Sequence, residues 1–278
     1  MRLMLDVASC NLSCFMCSVR KRTSVGTMDL DLFFRIRDKI SADGINIDYV
    51  VVGHRGEPTV NKDLSTILAC IGETWHPGEF TLNTNLTNKV SSINLLLSRV
   101  RAINGSLSGM TQDVYSRNHK GGQVQNVLDN FVALTETKAK LRSQCIIQMI
   151  WHRYKYNVHE YSLAEKFCSD QGILFTPIQP RIIDIEDAQK FYADQKVQDS
   201  FSKYIDIDDE KRNAHTMGLD KHCVLSRDLV VDFSGSVYKC SGDKTGYLGS
   251  IFDWNINELV KLNPPVCDVC RKTPLAWR

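Results

Sequence analysis

Cys10-Asn11-Leu12-Ser13-Cys14-Phe15-Met16-Cys17, a C-x3-C-x2-C cluster behind the apolar run Leu3-Met4-Leu5-Asp6-Val7, decides how the rest of the chain is read. A short apolar run of this kind predicts a buried strand, here Arg2–Val7. The loop that follows carries three thiols within eight residues. Three thiolates at this spacing can wrap one face of an iron–sulfur cube and leave its fourth iron without a protein ligand. A structural zinc or a ferredoxin-type site takes four ligands, so three imply an iron open to something exchangeable. The plainer alternative is three thiols on a reactive or zinc-binding loop.

Outward from this loop, short apolar strands alternate with amphipathic helices. Strands are predicted at Arg2–Val7, Ile47–Val52, Glu79–Asn83, Arg101–Ser106, Ser143–Trp151 and Ile173–Pro177. Helices are predicted at Leu30–Ala42, Lys62–Thr74, Ser91–Ser98, Gln123–Lys138 and Val158–Gln171. Asp29 and Asn61 are the expected N-caps, and Gly44 and Gly172 the expected terminators. The pattern predicts an α/β fold with a parallel sheet and helices outside. By analogy with the complete barrel, chemistry belongs on the loops after the strands, where the cysteine loop sits.

Composition narrows the function classes. Lys plus Arg number 34 against 32 Asp plus Glu, a net charge of +2, which gives no electrostatic case for nucleic acid. The hydrophobic fraction of 43% is ordinary for a globular protein, and no run of eighteen apolar residues predicts a membrane span. The first cysteine comes too early for a signal peptide. Ten cysteines without an export signal predict a reducing cytoplasm, where grouped thiols serve metals.

Beyond the predicted second strand stands Gly53-His54-Arg55-Gly56-Glu57-Pro58. Gly56 allows close backbone approach, Glu57 offers negative charge and Pro58 stiffens the turn. Thr84-Asn85-Leu86 follows the third strand and Gly105-Ser106-Leu107-Ser108-Gly109 ends the fourth. With the cysteine spacing, these motifs resemble, in order, those of the radical SAM enzymes, and the whole chain is similar to them. The resemblance implies a partial (β/α)6 TIM-like barrel whose open iron chelates the amino and carboxylate groups of S-adenosylmethionine. Reductive cleavage of the sulfonium then gives a 5′-deoxyadenosyl radical. It further implies that Gly56, Glu57 and Pro58 bind the methionine amino group, that Asn85, Ser106 and Ser108 serve the cofactor, and that Met16 packs near adenine. Leu86 departs from the family's T-N-G, and Ser108 stands where its aspartate is usual. A reducing partner such as flavodoxin or ferredoxin is implied as well.

The C-terminal region holds a second set. Cys223 and Cys240 flank Gly235 in C-x11-G-x4-C spacing, and Cys267-Asp268-Val269-Cys270 closes it. Val230–Phe233 and Ser236–Tyr238 predict a β-hairpin around Gly235, and Asn257–Leu262 a helix returning the last pair. By spacing alone, four such thiolates ligate a tetrahedral zinc or a complete cube. The arrangement resembles the twitch form of the SPASM extension of radical SAM proteins, which implies one auxiliary [4Fe-4S] cluster. The expected organisation is a barrel over residues 1–180, a connecting segment over 181–222 and a twitch-type domain over 223–278. Asp184–Tyr204 has helical spacing suited to covering the site.

Cys70, Cys145 and Cys168 read as small buried hydrophobes. His54, His119 and His152 are placed on the upper face of the barrel without a metal role. Arg55, Arg153 and Tyr247 are positional candidates for substrate contact. The leading expectation is oxidation of a carbinol C–H in a small polyhydroxylated substrate, as in aminocyclitol dehydrogenases, with Asp243 as proton acceptor. The alternatives are an epimerase using a thiol such as Cys145 as hydrogen donor, or a SPASM-type peptide maturase. The nine residues before Cys10 are expected to leave no room for the maturases' peptide-recognition domain.

Overall fold

The computed structural model describes residues 1–15, 17, 25–89, 92–180, 190–191, 193–205, 228–238 and 247–261. Six strands run parallel in chain order: β1 (Arg2–Leu5), β2 (Tyr49–Val52), β3 (Glu79–Thr84), β4 (Ala102–Leu107), β5 (Ile146–His152) and β6 (Leu174–Ile178). Between them lie α1 (Leu30–Ala42), α2 (Leu64–Trp75), α3 (Ile93–Arg99), α4 (Gln112–Asn118), α5 (Val124–Leu141) and α6 (Tyr161–Gln171). α7 (Gln195–Phe201) follows β6, and β7 (Asp228–Val231), β8 (Ser236–Tyr238), β9 (Tyr247–Ser250) and α8 (Ile256–Lys261) complete the described elements. The expected α/β fold with a parallel sheet is present.

α1 shows how local sequence sets an element. Asp29 accepts from Leu32 N at 2.8 Å, and Phe33, Ile36 and Ile40 form one buried stripe facing the sheet. α6 ends, as expected, on Gly172 in the left-handed region at φ +65°. Asn61 is not the cap of α2, which starts after Asp63. Its amide donates instead to Val7 O (2.9 Å) and Met28 O (2.8 Å), stitching the ends of the loop after β1.

The expected hairpin forms as β7 and β8, with Val231 paired to Val237 across the Gly235 turn. It joins the same nine-stranded sheet, in the order β6-β5-β4-β3-β2-β1-β7-β8-β9. β7 lies parallel to β1, and Arg2 grips Asp228 with two hydrogen bonds of 2.5 and 2.7 Å.

Alternation divides the sheet's two faces. In β4, Ile103, Gly105 and Leu107 are buried in the main core, while Asn104 and Ser106 project from the other face. On that second face Asn104 Nδ2 donates to Asn83 Oδ1 (2.9 Å), Asn104 stands in register with Gln148, and Gln148 donates to Thr176 Oγ1 (2.5 Å). Toward β1 the same face turns apolar through Met4, Val51 and Val230. Helices cover one side of the sheet and a half-polar surface lines the other. The site lies where that surface meets the strands' C-terminal ends.

Candidate active site

The cysteine loop leaves the C-terminal end of β1 pinched at its base. Ala8 bridges Thr27, Ser9 N donates to Gly26 O (2.8 Å), and Met28 N donates to Val7 O (2.9 Å). Its outer part is tied to the end of α4, with Ser13 N donating to Lys120 O (3.1 Å) and Phe15 N to Asn118 O (3.2 Å). Cys10, Cys14 and Cys17 are partly buried cysteines outside any disulfide. Burial pushes the Cys10 thiol up to about 11 and the Cys14 thiol higher still, with neighbouring thiols and Glu57 adding to both. Charging one thiol opposes charging the next, and a cluster of iron cations removes that penalty. Three thiols on one loop match in number the protein ligands of a cube with one open iron. Among the described residues no three His, Cys, Asp or Glu side chains converge on a single ion.

Gly56 brings the second motif against the first. At φ +127° it lies so close to Ala8 O that a Cβ would overlap that oxygen. Glu57 is buried, and its carboxylate accepts four hydrogen bonds from the protein. Thr59 N (3.0 Å), Thr59 Oγ1 (2.6 Å) and Thr84 Oγ1 (2.6 Å) bond Oε1, and Asn85 N (2.5 Å) bonds Oε2. Burial nonetheless raises its pKa above the usual carboxylate value, with these donors acting the other way. Pro58 opens the short 3-10 turn Pro58–Val60 that Glu57 caps. Glu57 thus holds the ends of β2 and β3 together. Thr59, which sequence reasoning missed, and Thr84, read there only as the first residue of the Thr84-Asn85-Leu86 motif, hold Glu57.

Asn85 is likewise committed to protein partners. Its Nδ2 donates to Asn11 Oδ1 (2.9 Å) and lies 3.7 Å from Cys10 Sγ, while Oδ1 accepts from Thr87 N (3.0 Å) and Thr87 Oγ1 (2.7 Å). The next residue, Leu86, is fully buried at φ +55°, a region costly for a branched side chain. Asn130 clamps this turn by donating to Leu86 O (2.8 Å) and Asn88 O (2.9 Å). At ordinary core sites Leu→Ala is milder than Leu→Gly. Here Leu86→Gly regains about 1 kcal/mol of backbone strain that Leu86→Ala retains. Both variants are expected to lose stability, with the glycine variant the more stable of the two in urea unfolding. An alanine variant as stable as the glycine one would remove the strain argument.

The ends of β4 and β5 form the third wall. Ser106 lies on the half-polar face, and Ser108 is fully buried with its hydroxyl toward Tyr156. Asn157 fixes both strand ends by donating to Ser108 O (3.0 Å) and His152 O (2.8 Å). Glu160 anchors the start of α4 through Met110 N (2.5 Å) and Thr111 Oγ1 (2.5 Å). Tyr115 Oη, Asn118 Oδ1, His119 Nε2 and His152 Nδ1 are buried atoms without a hydrogen-bond partner among the described residues. Such orphans gathered beside a thiol loop fit the seat of a polar ligand. Burial lowers His119 to about 3 and His152 to about 4.

Phe15, next to Cys14, carries the cover. Its ring lies 4.3 Å from Tyr204 and 5.6 Å from Phe201, in a cluster with Phe191, Ile205 and Tyr154. Residues 193–205 therefore pack on the cysteine loop. Arg55 lies over Tyr238 at 5.8 Å, Arg153 lies over Tyr161 at 5.8 Å, and Tyr247 is exposed.

Cys145 precedes β5 and is buried among residues at the opposite, N-terminal ends of the strands. Cys70 lies in α2, and Cys168 in α6 touches Met149 sulfur at 3.5 Å. None of the three shares the site. Met16, Cys223, Cys240, Asp243, Cys267 and Cys270 lie outside the described residues. No helix among the described residues is long and apolar enough to cross a membrane.

The fold is shared with several solved proteins, among them proteins determined with S-adenosylmethionine bound. Native anSMEcpe with bound AdoMet matches with a TM-score of 0.63 at 18% identity, over 93% of this chain and 79% of that one. SuiB of Streptococcus suis matches at 0.64 and 14% identity, over 95% of this chain, which spans 66% of SuiB. BtrN in complex with AdoMet and 2-DOIA matches at 0.55 and 14% identity, over 93% of this chain and 81% of BtrN. No family model and no curated protein matches the chain.

Proposed function

We propose that this chain is a radical SAM oxidoreductase that removes a hydrogen atom from a carbinol C–H of a small polyhydroxylated substrate, a sugar, aminocyclitol or aminoglycoside, and oxidises that carbon. The observation that carries the reading is the loop of Cys10, Cys14 and Cys17 held against the Gly56-Glu57-Pro58 turn. The shared fold with AdoMet-bound proteins supports it. A cube on that loop supplies the electron that cleaves S-adenosylmethionine to the hydrogen-abstracting radical.

The protein's part is placement. Gly56 and Glu57 set the turn that receives the methionine end, and Ser106, Ser108 and Asn85 border the space for the rest of the cofactor. The cover over Phe15 keeps water from the radical. Oxidation sends the abstracted hydrogen to 5′-deoxyadenosine, the hydroxyl proton to a base and the second electron to an acceptor. We assign the base role to Asp243 and the acceptor role to an auxiliary cluster on Cys223, Cys240, Cys267 and Cys270. The first electron comes from a flavodoxin or ferredoxin.

Oxidation is favoured over epimerisation because none of the described cysteines outside the loop stands at the strands' C-terminal ends, where a hydrogen donor is needed. The likeness to anSMEcpe, solved also with AdoMet and a peptide, supports a second reading as a peptide-modifying enzyme. A test incubates the reconstituted protein, S-adenosylmethionine and dithionite with panels of aminocyclitols, aminoglycosides and peptides. Substrate-dependent 5′-deoxyadenosine with a product two hydrogens lighter is expected in the first two panels. A product of unchanged mass carrying one solvent deuterium in D2O would establish epimerisation, and turnover confined to peptides would overturn the substrate class.

A further inference from the structure

The cysteine loop and the end of α4 pair like two short strands. Ser13 N bonds Lys120 O and Phe15 N bonds Asn118 O, so Cys14 stands opposite His119. The His119 Nδ1 atom lies 3.5 Å from Cys14 Sγ, within hydrogen-bonding reach of sulfur. Tyr115 stacks on the imidazole at 4.7 Å and 18°, and the His152 ring meets it edge-on at 6.5 Å and 71°. The ring is therefore fixed on both sides.

Chemistry then selects the tautomer. A thiolate bound to iron has no proton and only accepts, so Nδ1 carries the hydrogen. Nε2 is buried without a hydrogen-bond partner among the described residues, and a second proton there would bury an unpaired charge. Cys10 is served differently, by Leu12 N at 3.4 Å and Asn85 Nδ2 at 3.7 Å. The donors to the loop's sulfurs are thus unequal.

We propose that His119 donates a hydrogen bond from Nδ1 to the Cys14 thiolate and, as a positioning residue, raises the reduction potential of the cluster on Cys10, Cys14 and Cys17. This rests on the iron–sulfur reading of that loop. Reduction adds negative charge that spreads onto the thiolates, so a donor to sulfur stabilises the reduced state more than the oxidised one. The effect keeps the cluster within reach of a protein reductant.

The test is an EPR-monitored redox titration of the reconstituted full-length protein. It follows the signal that changes when S-adenosylmethionine is added, which singles out the cluster with the open iron. His119→Phe keeps the stack on Tyr115 and removes the donor. It is expected to lower the reduction equilibrium constant about tenfold, or 59 mV for one electron. His119→Asn, whose Nδ2 stands where Nδ1 stood, is expected to restore it. An unchanged potential in a His119→Phe protein whose cluster still responds to S-adenosylmethionine overturns the proposal and leaves the functional reading intact. Absence of any responsive cluster in the unaltered protein overturns both.

Should the variant fail to fold, the unaltered protein labelled with 15N-histidine decides. A weak 15N coupling to the reduced cluster is expected. No coupling, or the strong coupling of a directly ligated imidazole, overturns the hydrogen bond.

Discussion

A chain carrying Cys10→Ala, Cys14→Ala and Cys17→Ala together is expected to form no 5′-deoxyadenosine from S-adenosylmethionine and dithionite above the level seen without protein. Backbone bonds at Ser9, Ser13, Phe15 and Met28 hold the loop independently of its weaker sulfur contacts, so the variant is expected to keep its fold. Circular dichroism should be unchanged while loop-bound iron disappears. Iron analysis then also reports the second cluster, because the triple variant retains half of the original iron if Cys223, Cys240, Cys267 and Cys270 hold a cube. Continued 5′-deoxyadenosine formation by a folded triple variant would refute the radical SAM assignment.

The second large effect belongs to Glu57. Replacement by alanine strands two threonine hydroxyls and two backbone amides in a buried space. Each orphan costs about 1–3 kcal/mol when it finds no other partner. A loss of at least about 3 kcal/mol is expected, a large share of the total stability of an ordinary domain. Glu57→Gln is gentler. Its oxygen can face Asn85 N and its amide can face Thr59 and Thr84, whose hydroxyls turn to accept, so Thr59 N loses its partner and the two hydroxyl hydrogens must find other acceptors, while no cavity opens. Urea midpoints should therefore rank the unaltered chain, then Gln, then Ala. Equal stability of the Ala and Gln variants would show that the four-donor cage is not what holds the turn.

These two sites were legible in different degrees. The thiol loop and the glycine–glutamate–proline turn are contiguous in the chain, so their chemistry could be read directly. The partners that give Glu57 and Cys14 their surroundings could not. Thr84 and His119 are ordinary polar residues whose roles here come from atoms many residues away, as do those of Asn130 and Asn157 at the neighbouring turns.

The same division runs through the fold. α1 was readable to its ends because its cap and buried stripe are local. α4 went unseen because Gln112–Asn118 is short and only Val114 and Tyr115 in it are apolar. Asn61 resembles a cap by position, but its amide is claimed by two distant carbonyls. Hydrophobic periodicity also gave no sign that β7 would lie beside β1, since pairing partners are not written in either strand.

That pairing sets an order of events during synthesis. Among the described strands β1 precedes the others, and the partner on one of its edges is not made until residues 228–231 have left the ribosome. Through most of translation the nascent sheet ends in Leu3, Met4 and Leu5, an apolar edge of the kind that recruits other chains. Arg2 tempers this edge with a charge, and later finds Asp228. A ribosome that stalls after β6 would thus release a sheet open at both sides, and timely completion of the C-terminal hairpin is what makes the N-terminal strand safe.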